Sequence, residues 1–392
     1  MSELILLVGR PGSGKSTYYQ KHFSQTHEYV SQDEQGKNHH KELFENFIDQ
    51  QKNIVIDRQN HIRDQRDYFL KIAKKNGYQT CIIEFKADKN LCERRILERE
   101  GHPTITRTSD VSMIVRAYDT QYQGIMDKEV DEYKVINVPY YAPIQDLTHL
   151  TGRIGVFGDP HGVWDEIEFA IKDLKLDHIV FAGDLVDRGP DILKVLDCAR
   201  KNYSVLGNHD WKFCRSLKGN KITINGGIEK TLEQTASLSE EERNELYTWL
   251  FRLPHIIKLP KKHVVVHAGL DPTRELAKQY CDTCLYIRNF GNGKYADPSQ
   301  PMWYEHPRHE DLKQYTILFG HSIHEKAEVA EGVLSLDKGA VYGTGLRVRV
   351  IDTNGVDEIK EYETKNYYTS TEEPERNAKC YKVFVAPYYE VR

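Results

Sequence analysis

Long apolar runs are missing from this 392-residue chain. No stretch approaches the roughly 20 consecutive apolar residues that cross a bilayer. The N-terminus lacks the charged-then-apolar pattern of a secretory leader. A membrane-spanning or secreted protein is therefore not expected, and the cytoplasm is the compartment that fits. Cysteine is sparse as well: seven residues, odd in number and scattered. Only Cys281-Asp282-Thr283-Cys284 has metal-ligand spacing, and no second pair accompanies it, so reduced thiols are expected rather than a zinc ribbon or a disulfide framework. A dominant charge is lacking too. Lys and Arg total 54 against 59 Asp and Glu, a net charge of −5. Residues before Thr151 hold 21 basic against 22 acidic side chains and the remainder 33 against 37, so any contact with a polyanion must be local. With 39% hydrophobic residues, the chain has enough apolar material for two or three domains with true cores.

What is present is a series of short apolar runs, each ending in glycine and a polar ligand type. Ile154–Phe157 leads into Gly158-Asp159-Pro160-His161-Gly162, Ile179–Ala182 into Gly183-Asp184-Leu185-Val186-Asp187-Arg188-Gly189, and Ser204–Leu206 into Gly207-Asn208-His209-Asp210. His267-Ala268-Gly269 and Gly320-His321 repeat the pattern. Each block reads as the end of a buried strand, where α/β sheets place their sites. Two divalent metals in one centre need several ligands and a bridging carboxylate. Asp159 and His161 suit the first metal, Asp184 the bridge, and Asn208, His267 and His321 the second metal. His209 follows the Asn ligand directly and is the candidate acid for the leaving group. Asp210 or Asp187 would orient it. Arg188 is the candidate phosphate clamp. A second arginine clamp is expected, with Arg288 its candidate, and Asp337 is a candidate support for His321.

The N-terminal part has a different signature. Leu4–Val8 runs into Gly9-Arg10-Pro11-Gly12-Ser13-Gly14-Lys15-Ser16-Thr17, the pattern G-x-x-x-x-G-K-[ST] between a strand and a helix. Its glycines let backbone N–H groups curl around phosphate, Lys15 reaches the terminal phosphates, and the Ser16 hydroxyl can ligate Mg²⁺. ATP or another nucleoside triphosphate with Mg²⁺ is the implied cofactor. Asp33 follows the next apolar pulse, Tyr29-Val30. It reads either as a general base for an acceptor hydroxyl or as a helix cap. Asp57, ending the strand Asn53–Asp57, either orders the Mg²⁺ shell, positions the acceptor, or caps a helix. A fourth strand is expected over Tyr78–Phe85 and a weak last one over Glu129–Val138. Arg95 and Arg99 in Asn90–Gly101 are four apart on a helix face. They form either a lid over the phosphates or a solvated face paired with Glu98 and Glu100. Tyr140–Thr151 reads as a linker, Asn366–Arg376 as a polar loop, and Cys380–Val391 as a closing strand.

On the P-loop, Ser31-x-Asp33, Asp57-x-x-Asn60 and the arginine pair, the first part resembles the 5′-hydroxyl polynucleotide kinases of RNA repair. That resemblance implies Asp33 as base and Arg95 and Arg99 in the lid. The related kinases often carry an arginine shortly after the base to hold the acceptor's phosphate. This chain has Glu34-Gln35-Gly36-Lys37 there, leaving Lys37 or Arg63 to substitute, with Asp57 and Asn60 also near the acceptor. The metal motifs resemble the phosphoprotein-phosphatase branch of the binuclear metallophosphoesterases, in which Mn²⁺ is a common metal. Asp210 and His267-Ala268-Gly269 depart from the eukaryotic protein phosphatases toward bacterial and phage members, including diadenosine tetraphosphate hydrolases and RNA-end phosphatases. The order of the two parts is similar to the kinase and phosphatase modules of bacterial polynucleotide kinase-phosphatases, but the Lys-x-Asp-Gly motif of a ligase module is missing. The resemblance implies an α/β chain of two domains. Residues 1–148 would form a P-loop kinase with a parallel sheet, and 149–392 a metallophosphoesterase sandwich of two mixed sheets. It also implies polynucleotide ends, RNA favoured, as substrates, and a separate ligase acting next. The competing readings are a dinucleoside polyphosphate hydrolase or a serine/threonine protein phosphatase, fused to a small-molecule kinase or a regulatory P-loop domain.

Overall fold

The computed structural model describes residues 2–36, 38–99, 111–126, 128–291 and 296–369. It divides into two compact units between Tyr140 and Tyr141.

The first unit is built on five strands: β1 (Glu3–Gly9), β2 (Glu28–Ser31), β3 (Ile54–Asp57), β4 (Gln79–Ala87) and β5 (Glu132–Val138). They lie in the order β2-β3-β1-β4-β5, and every pairing is parallel. A parallel sheet buries both faces, which is why β1 is apolar at successive positions rather than at alternate ones. Leu4, Leu6 and Val8 pack with Phe44 and Phe69 on one face. Ile5 and Leu7 pack with Tyr19 on the other. Helices Lys15–His22, His39–Asp49 and Arg63–Lys75 supply those partners. The register aligns Ser31 with Asp57 and Leu7 with Asp57, so the ends of β1, β2 and β3 open on one edge.

The second unit has two mixed sheets. One runs β13 (Glu328–Ala330), β14 (Val333–Ser335), β12 (Thr316–Phe319), β11 (His263–Val266), β10 (Ile256–Leu259), β6 (Ile144–Asp146). The other runs β16 (Glu358–Tyr362), β15 (Leu346–Asp352), β7 (Arg153–Phe157), β8 (His178–Phe181), β9 (Tyr203–Ser204). Ile154, Val156 and Val180 from the second sheet share a core with Ile257, Val265 and Leu318 from the first. Val264 and Val266 point the other way, into a cluster around Trp303. This is the strand alternation of period two.

Two sequence expectations change. From Tyr141 on, the expected linker Tyr140–Thr151 is part of the second unit: Ile144–Asp146 pairs in parallel with β10, Tyr141 bridges Tyr280, and Leu147 and Leu150 are buried in the inter-sheet core. A three-residue edge strand between a proline and polar residues offers no periodicity to detect. The strand expected over Ser204–Leu206 is Tyr203–Ser204, and Val205 and Leu206 already belong to the turn. The expected strand Cys380–Val391, residues 370–376 of the expected loop, and Lys37 lie outside the described residues.

Candidate active sites

In the second unit, Asp159, Asp184 and Asn208 follow β7, β8 and β9 on neighbouring strands of one sheet, and His267 and His321 follow β11 and β12 on the other. The two sheets bring their motif ends together. His161, Asp184 and His209 form one cluster of candidate metal donors and Asp184, His267 and His321 a second, the donor atoms of each lying within 4.8 Å of one another. Asp184 belongs to both, the position a bridging carboxylate takes. Asn208 Oδ1 lies 2.8 Å from His267 Nε2 and 3.0 Å from His321 Nδ1, so these three side chains converge. Asp159 stands against the His321 backbone, its two carboxylate oxygens accepting that N–H at 3.0 and 2.9 Å. Gly320 has to be glycine for this contact, because a Cβ there would fall 1.9 Å from Asp159 Oδ1.

The backbone is strained where the ligand types sit. His161, Asp184, Asp187, Arg188 and His321 all have φ between 41° and 75°. Non-glycine residues in that region concentrate at functional sites held by surrounding structure. Asp210 is one such holder. Fully buried, it accepts N–H bonds from Leu185 at 2.9 Å and Gly207 at 3.0 Å, tying the second motif to the third. Burial, reinforced by the Asp184 charge, pushes its carboxyl up to about 8.

The donor set fits divalent cations. His267 Nδ1 faces the Ala182 carbonyl at 2.8 Å and His161 Nδ1 the Val186 carbonyl at 2.7 Å, which turns each Nε2 inward. Burial, with Arg188 beside one and Arg288 beside the other, holds His161 and His321 well below 6.5, so both imidazoles are neutral and have lone pairs to give. Burial also raises the Asp159 carboxyl well above 3.8, followed by the charges of Asp337 and Asp184. Such crowding of carboxylates is relieved by cations.

Arg188 contacts His161 Nε2 and lies 3.1 Å from His209 Nε2, while its own Nε is buried without a hydrogen-bond partner among the described residues. Arg288 Nε donates to His321 Nε2 at 3.1 Å, which brings the second expected arginine to the centre. His209 Nδ1 meets Asp187 Oδ2 at 2.6 Å. Of the two candidates for orienting His209, Asp187 therefore makes the contact and Asp210 serves the backbone. Asp187 is in turn fixed by Thr231, whose hydroxyl accepts the Asp187 N–H at 2.9 Å and donates to its carboxylate. Asp337 accepts the Gly339 N–H at 2.8 Å rather than bonding to the His321 ring.

In the first unit the P-loop Gly9–Thr17 joins β1 to the helix Lys15–His22, with Gly14 at its N-terminus, Ser13 buried and Thr17 exposed. The Lys15 ammonium bonds to the Gly9 and Arg10 carbonyls, both at 2.8 Å, and its burial lowers its pKa. Asp57 Oδ2 accepts from the Ser16 hydroxyl at 2.6 Å and the Tyr29 hydroxyl at 2.7 Å. Asp57 thus stands with the candidate Mg²⁺ ligand. Gly12, at φ 77°, has the Cys92 carbonyl oxygen 2.5 Å from where a Cβ would lie, so the helix Lys89–Glu98 rests directly on the loop. From that helix Arg95 points Nη1 at the Gly12 and Ser13 carbonyls, at 3.4 and 3.5 Å.

Arg99 does not share that face. The helix ends at Glu98, and Arg99 is extended at φ −80°, ψ 126°. Asp33 is exposed in the first turn of Gln32–Gln35, whose N-cap is Ser31, so Asp33 is not the cap; its charge reaches Lys15 and Arg58. Asn60 is fully buried and donates to the Leu7 carbonyl at 2.9 Å, joining β3's end to β1 instead of facing an acceptor. Arg63 Nε lies 3.6 Å from Glu129, which also pairs with buried Arg66 at 2.9 Å. The sequence reading missed Tyr29, Arg58 and Thr231. Arg58 had a signal, its place directly after the strand-end Asp57; Thr231 had none.

Two clusters of candidate metal donors sharing one carboxylate, at the strand ends of two packed mixed sheets, are the arrangement of a binuclear metallophosphoesterase. The model of the calcineurin-like phosphoesterase family matches residues 152–357, more than half of the chain, and the chain belongs to that family. An AAA domain model matches residues 31–118 of the first unit, which carries its P-loop at Gly9–Thr17. The asymmetrical bis(5′-nucleosyl)-tetraphosphatase PrpE of Oceanobacillus iheyensis is 29% identical over 222 residues, 50% of this chain and 86% of that protein. Its counterpart in Bacillus velezensis is 27% identical over 240 residues, 54% of this chain and 95% of that protein. A solved metallophosphoesterase from Sphaerobacter thermophilus is 16% identical with a TM-score of 0.33, covering 55% of this chain and 89% of its own.

Proposed function

We propose that this protein heals polynucleotide ends, phosphorylating a 5′-hydroxyl in its first unit and removing a 2′ or 3′ phosphate, or opening a 2′,3′-cyclic phosphate, in its second. The observation that carries this reading is the pairing of a P-loop kinase-like unit with a phosphoesterase in one chain. Adding and removing phosphate at one position is futile. At two different ends it yields the 5′-phosphate and 3′-hydroxyl that a separate ligase joins. A cyclic phosphate requires a 2′-hydroxyl, so RNA is the favoured substrate.

In the kinase unit the phosphates of ATP lie along the P-loop N–H groups, and Lys15 exchanges its carbonyl partners for phosphate oxygens. Ser16 and Asp57 would hold the Mg²⁺ shell, and Arg95 would close over the transferring group. Asp33 takes the proton of the attacked hydroxyl. In the phosphoesterase unit Asp159, His161, Asp184, Asn208, His267 and His321 would hold two divalent ions, with Mn²⁺ the metal proposed. When bound, those ions supply Lewis acidity and activate water. Arg188 and Arg288 grip the phosphate oxygens. His209 gives its Nε2 proton to the leaving oxygen while Asp187 keeps Nδ1 protonated.

The test is an RNA oligonucleotide bearing a 5′-hydroxyl and a 2′,3′-cyclic phosphate, incubated with ATP, Mg²⁺ and Mn²⁺, with both ends mapped. Phosphorylation of the first and loss of phosphate from the second are expected; no change at either end refutes the proposal. The PrpE relatives favour a second reading, in which the phosphoesterase unit splits dinucleoside tetraphosphates. Diadenosine tetraphosphate in a parallel reaction separates the two: a strong preference for it over the RNA 3′ end supports the second reading.

A further inference from the structure

Two hydroxyls meet on one oxygen of the Asp57 carboxylate. Ser16 donates to Oδ2 at 2.6 Å, and Tyr29 donates to the same Oδ2 at 2.7 Å. Among the described residues Oδ1 accepts no hydrogen bond, and it is not sealed from solvent. The donors come from different elements. Ser16 lies on the helix that follows the P-loop, and Tyr29 lies in β2, two residues before the Ser31 that pairs with Asp57 of β3.

Tyr29 is braced on several sides. Its ring stacks on Tyr19 of the P-loop helix, with centroids 4.2 Å apart and planes at 25°. It packs against the core face that holds Ile5, Leu7 and Val55. Tyr19 is itself buried, and its hydroxyl donates to the His27 carbonyl at 3.1 Å, which ties the helix to the start of β2. Burial raises the Tyr29 pKa, followed by the Asp57 charge, so the phenol keeps its proton and stays a donor. A carboxylate torsion is broad and roughly two-fold, so a single hydroxyl donor leaves either oxygen able to turn toward a cation. A second donor on a braced ring removes that choice.

We infer that Tyr29 is a positioning residue of the first unit: its hydroxyl fixes Asp57 Oδ2 to the protein and so keeps Oδ1 for the Mg²⁺ that accompanies the nucleotide. It acts through Asp57 and needs no contact with the cation or the phosphates. This rests on the nucleotide-binding part of the function proposed above and is independent of which acceptor is phosphorylated.

The experiment titrates a non-hydrolysable ATP analogue into the full chain by calorimetry, without metal and across a Mg²⁺ series. It compares wild type, Tyr29→Phe, Asp57→Asn and the double variant. Phenylalanine keeps the ring on Tyr19 and removes only the hydroxyl. Tyr29→Phe is expected to leave metal-free binding within about twofold and to raise the Mg²⁺ concentration at half-effect roughly 10-fold or more, as loss of a group that orients a metal ligand does. In the Asp57→Asn background the same change should not shift the Mg²⁺ series further. Phosphoryl transfer should follow the binding, with excess Mg²⁺ removing the Tyr29→Phe deficit. An unchanged Mg²⁺ series overturns the assignment. So does metal-free binding weakened by the same factor, because the hydroxyl would then brace the P-loop itself. A wild-type chain whose binding of the analogue does not respond to Mg²⁺ overturns the nucleotide-binding reading instead.

Discussion

Asp187→Asn separates positioning from packing at the phosphoesterase centre. Asp187 is fully buried and meets His209 Nδ1 at 2.6 Å, and Thr231 engages both its N–H and its carboxylate. Asparagine preserves the volume but has one carbonyl oxygen to serve both the imidazole and the Thr231 hydroxyl. What is removed is a charge-assisted hydrogen bond, worth about 1.5–3 kcal/mol. If that bond keeps Nδ1 protonated while Nε2 gives up its proton, the loss appears in the transition state, as roughly a 10- to 150-fold drop in kcat at about 1.4 kcal/mol per decade. The size of the drop must depend on the leaving group. A nucleoside alkoxide needs a proton to depart, whereas p-nitrophenolate leaves as a stable anion. Steady-state kinetics on a 3′-phosphorylated oligonucleotide and on p-nitrophenyl phosphate should therefore show the full loss for the first and less than about a threefold loss for the second. His209→Gln should behave alike, and the double variant should be no worse than His209→Gln alone. Equal losses on both substrates would refute a proton-donor role for His209 and leave Asp187 a structural carboxylate.

Lys15→Ala should lower phosphoryl transfer by about 10²-fold or more while phosphatase activity stays within twofold, and Asp184→Ala should do the reverse; loss of both activities from either change in a folded protein contradicts two independent sites. Gly320→Ala places a Cβ 1.9 Å from Asp159 Oδ1, so the carboxylate must move. Titration of Mn²⁺ against activity should then show the metal requirement rising by roughly 10- to 100-fold, and an unchanged titration would mean that Asp159 is not needed for metal. His263 is buried, and burial lowers its pKa from 6.5. Its contribution to stability is complete above the unfolded value of 6.5 and is lost as pH falls toward the folded value, with a slope of at most about 1.4 kcal/mol per pH unit. Urea denaturation between pH 7 and 5 should show that slope reduced in His263→Gln; parallel profiles would assign the acid sensitivity elsewhere.

The parts of the sites that were legible in sequence are those in which a glycine ends an apolar run. Asp159, Asp184, Asn208 and His321 each follow such a glycine and His267 stands two residues before one, because a short buried strand has to stop sharply to present a side chain at the sheet edge. The illegible parts depend on distance in space. Asp187 and Asp210 flank the same motifs and have the same chemistry, yet one holds an imidazole and the other three backbone N–H groups. Nothing local distinguishes them, since the choice follows from where Thr231 and Gly207 lie in the fold. Helix ends were misjudged for a related reason. The stop signals, Gly101 and Pro103, come only after Arg99, so the spacing suggested a continuous face where the backbone had already turned extended. Asn60, placed among the acceptor contacts by its motif, is drawn inside by the Leu7 carbonyl at the end of β1.

The arginines of the phosphoesterase centre show how binding and clamping are linked in one set of atoms. Arg188 N–H groups point at the Nε2 atoms of His161 and His209, and Arg288 Nε points at that of His321. An Nε2 lone pair serves one partner at a time, so a cation held by His161 Nε2 would free Arg188 from that ring, whereas His321 turns Nδ1 toward Asn208 and can keep Arg288 on its Nε2. Arg188 is a planar donor already anchored in place, by its backbone N–H to the Gly227 carbonyl at 3.1 Å and by its guanidinium 5.5 Å from the Tyr342 ring centroid. The buried Arg188 Nε, without a partner among the described residues, adds a further donor that phosphate can satisfy. A cation held by His161 would thus turn Arg188 from an imidazole partner into a donor for phosphate.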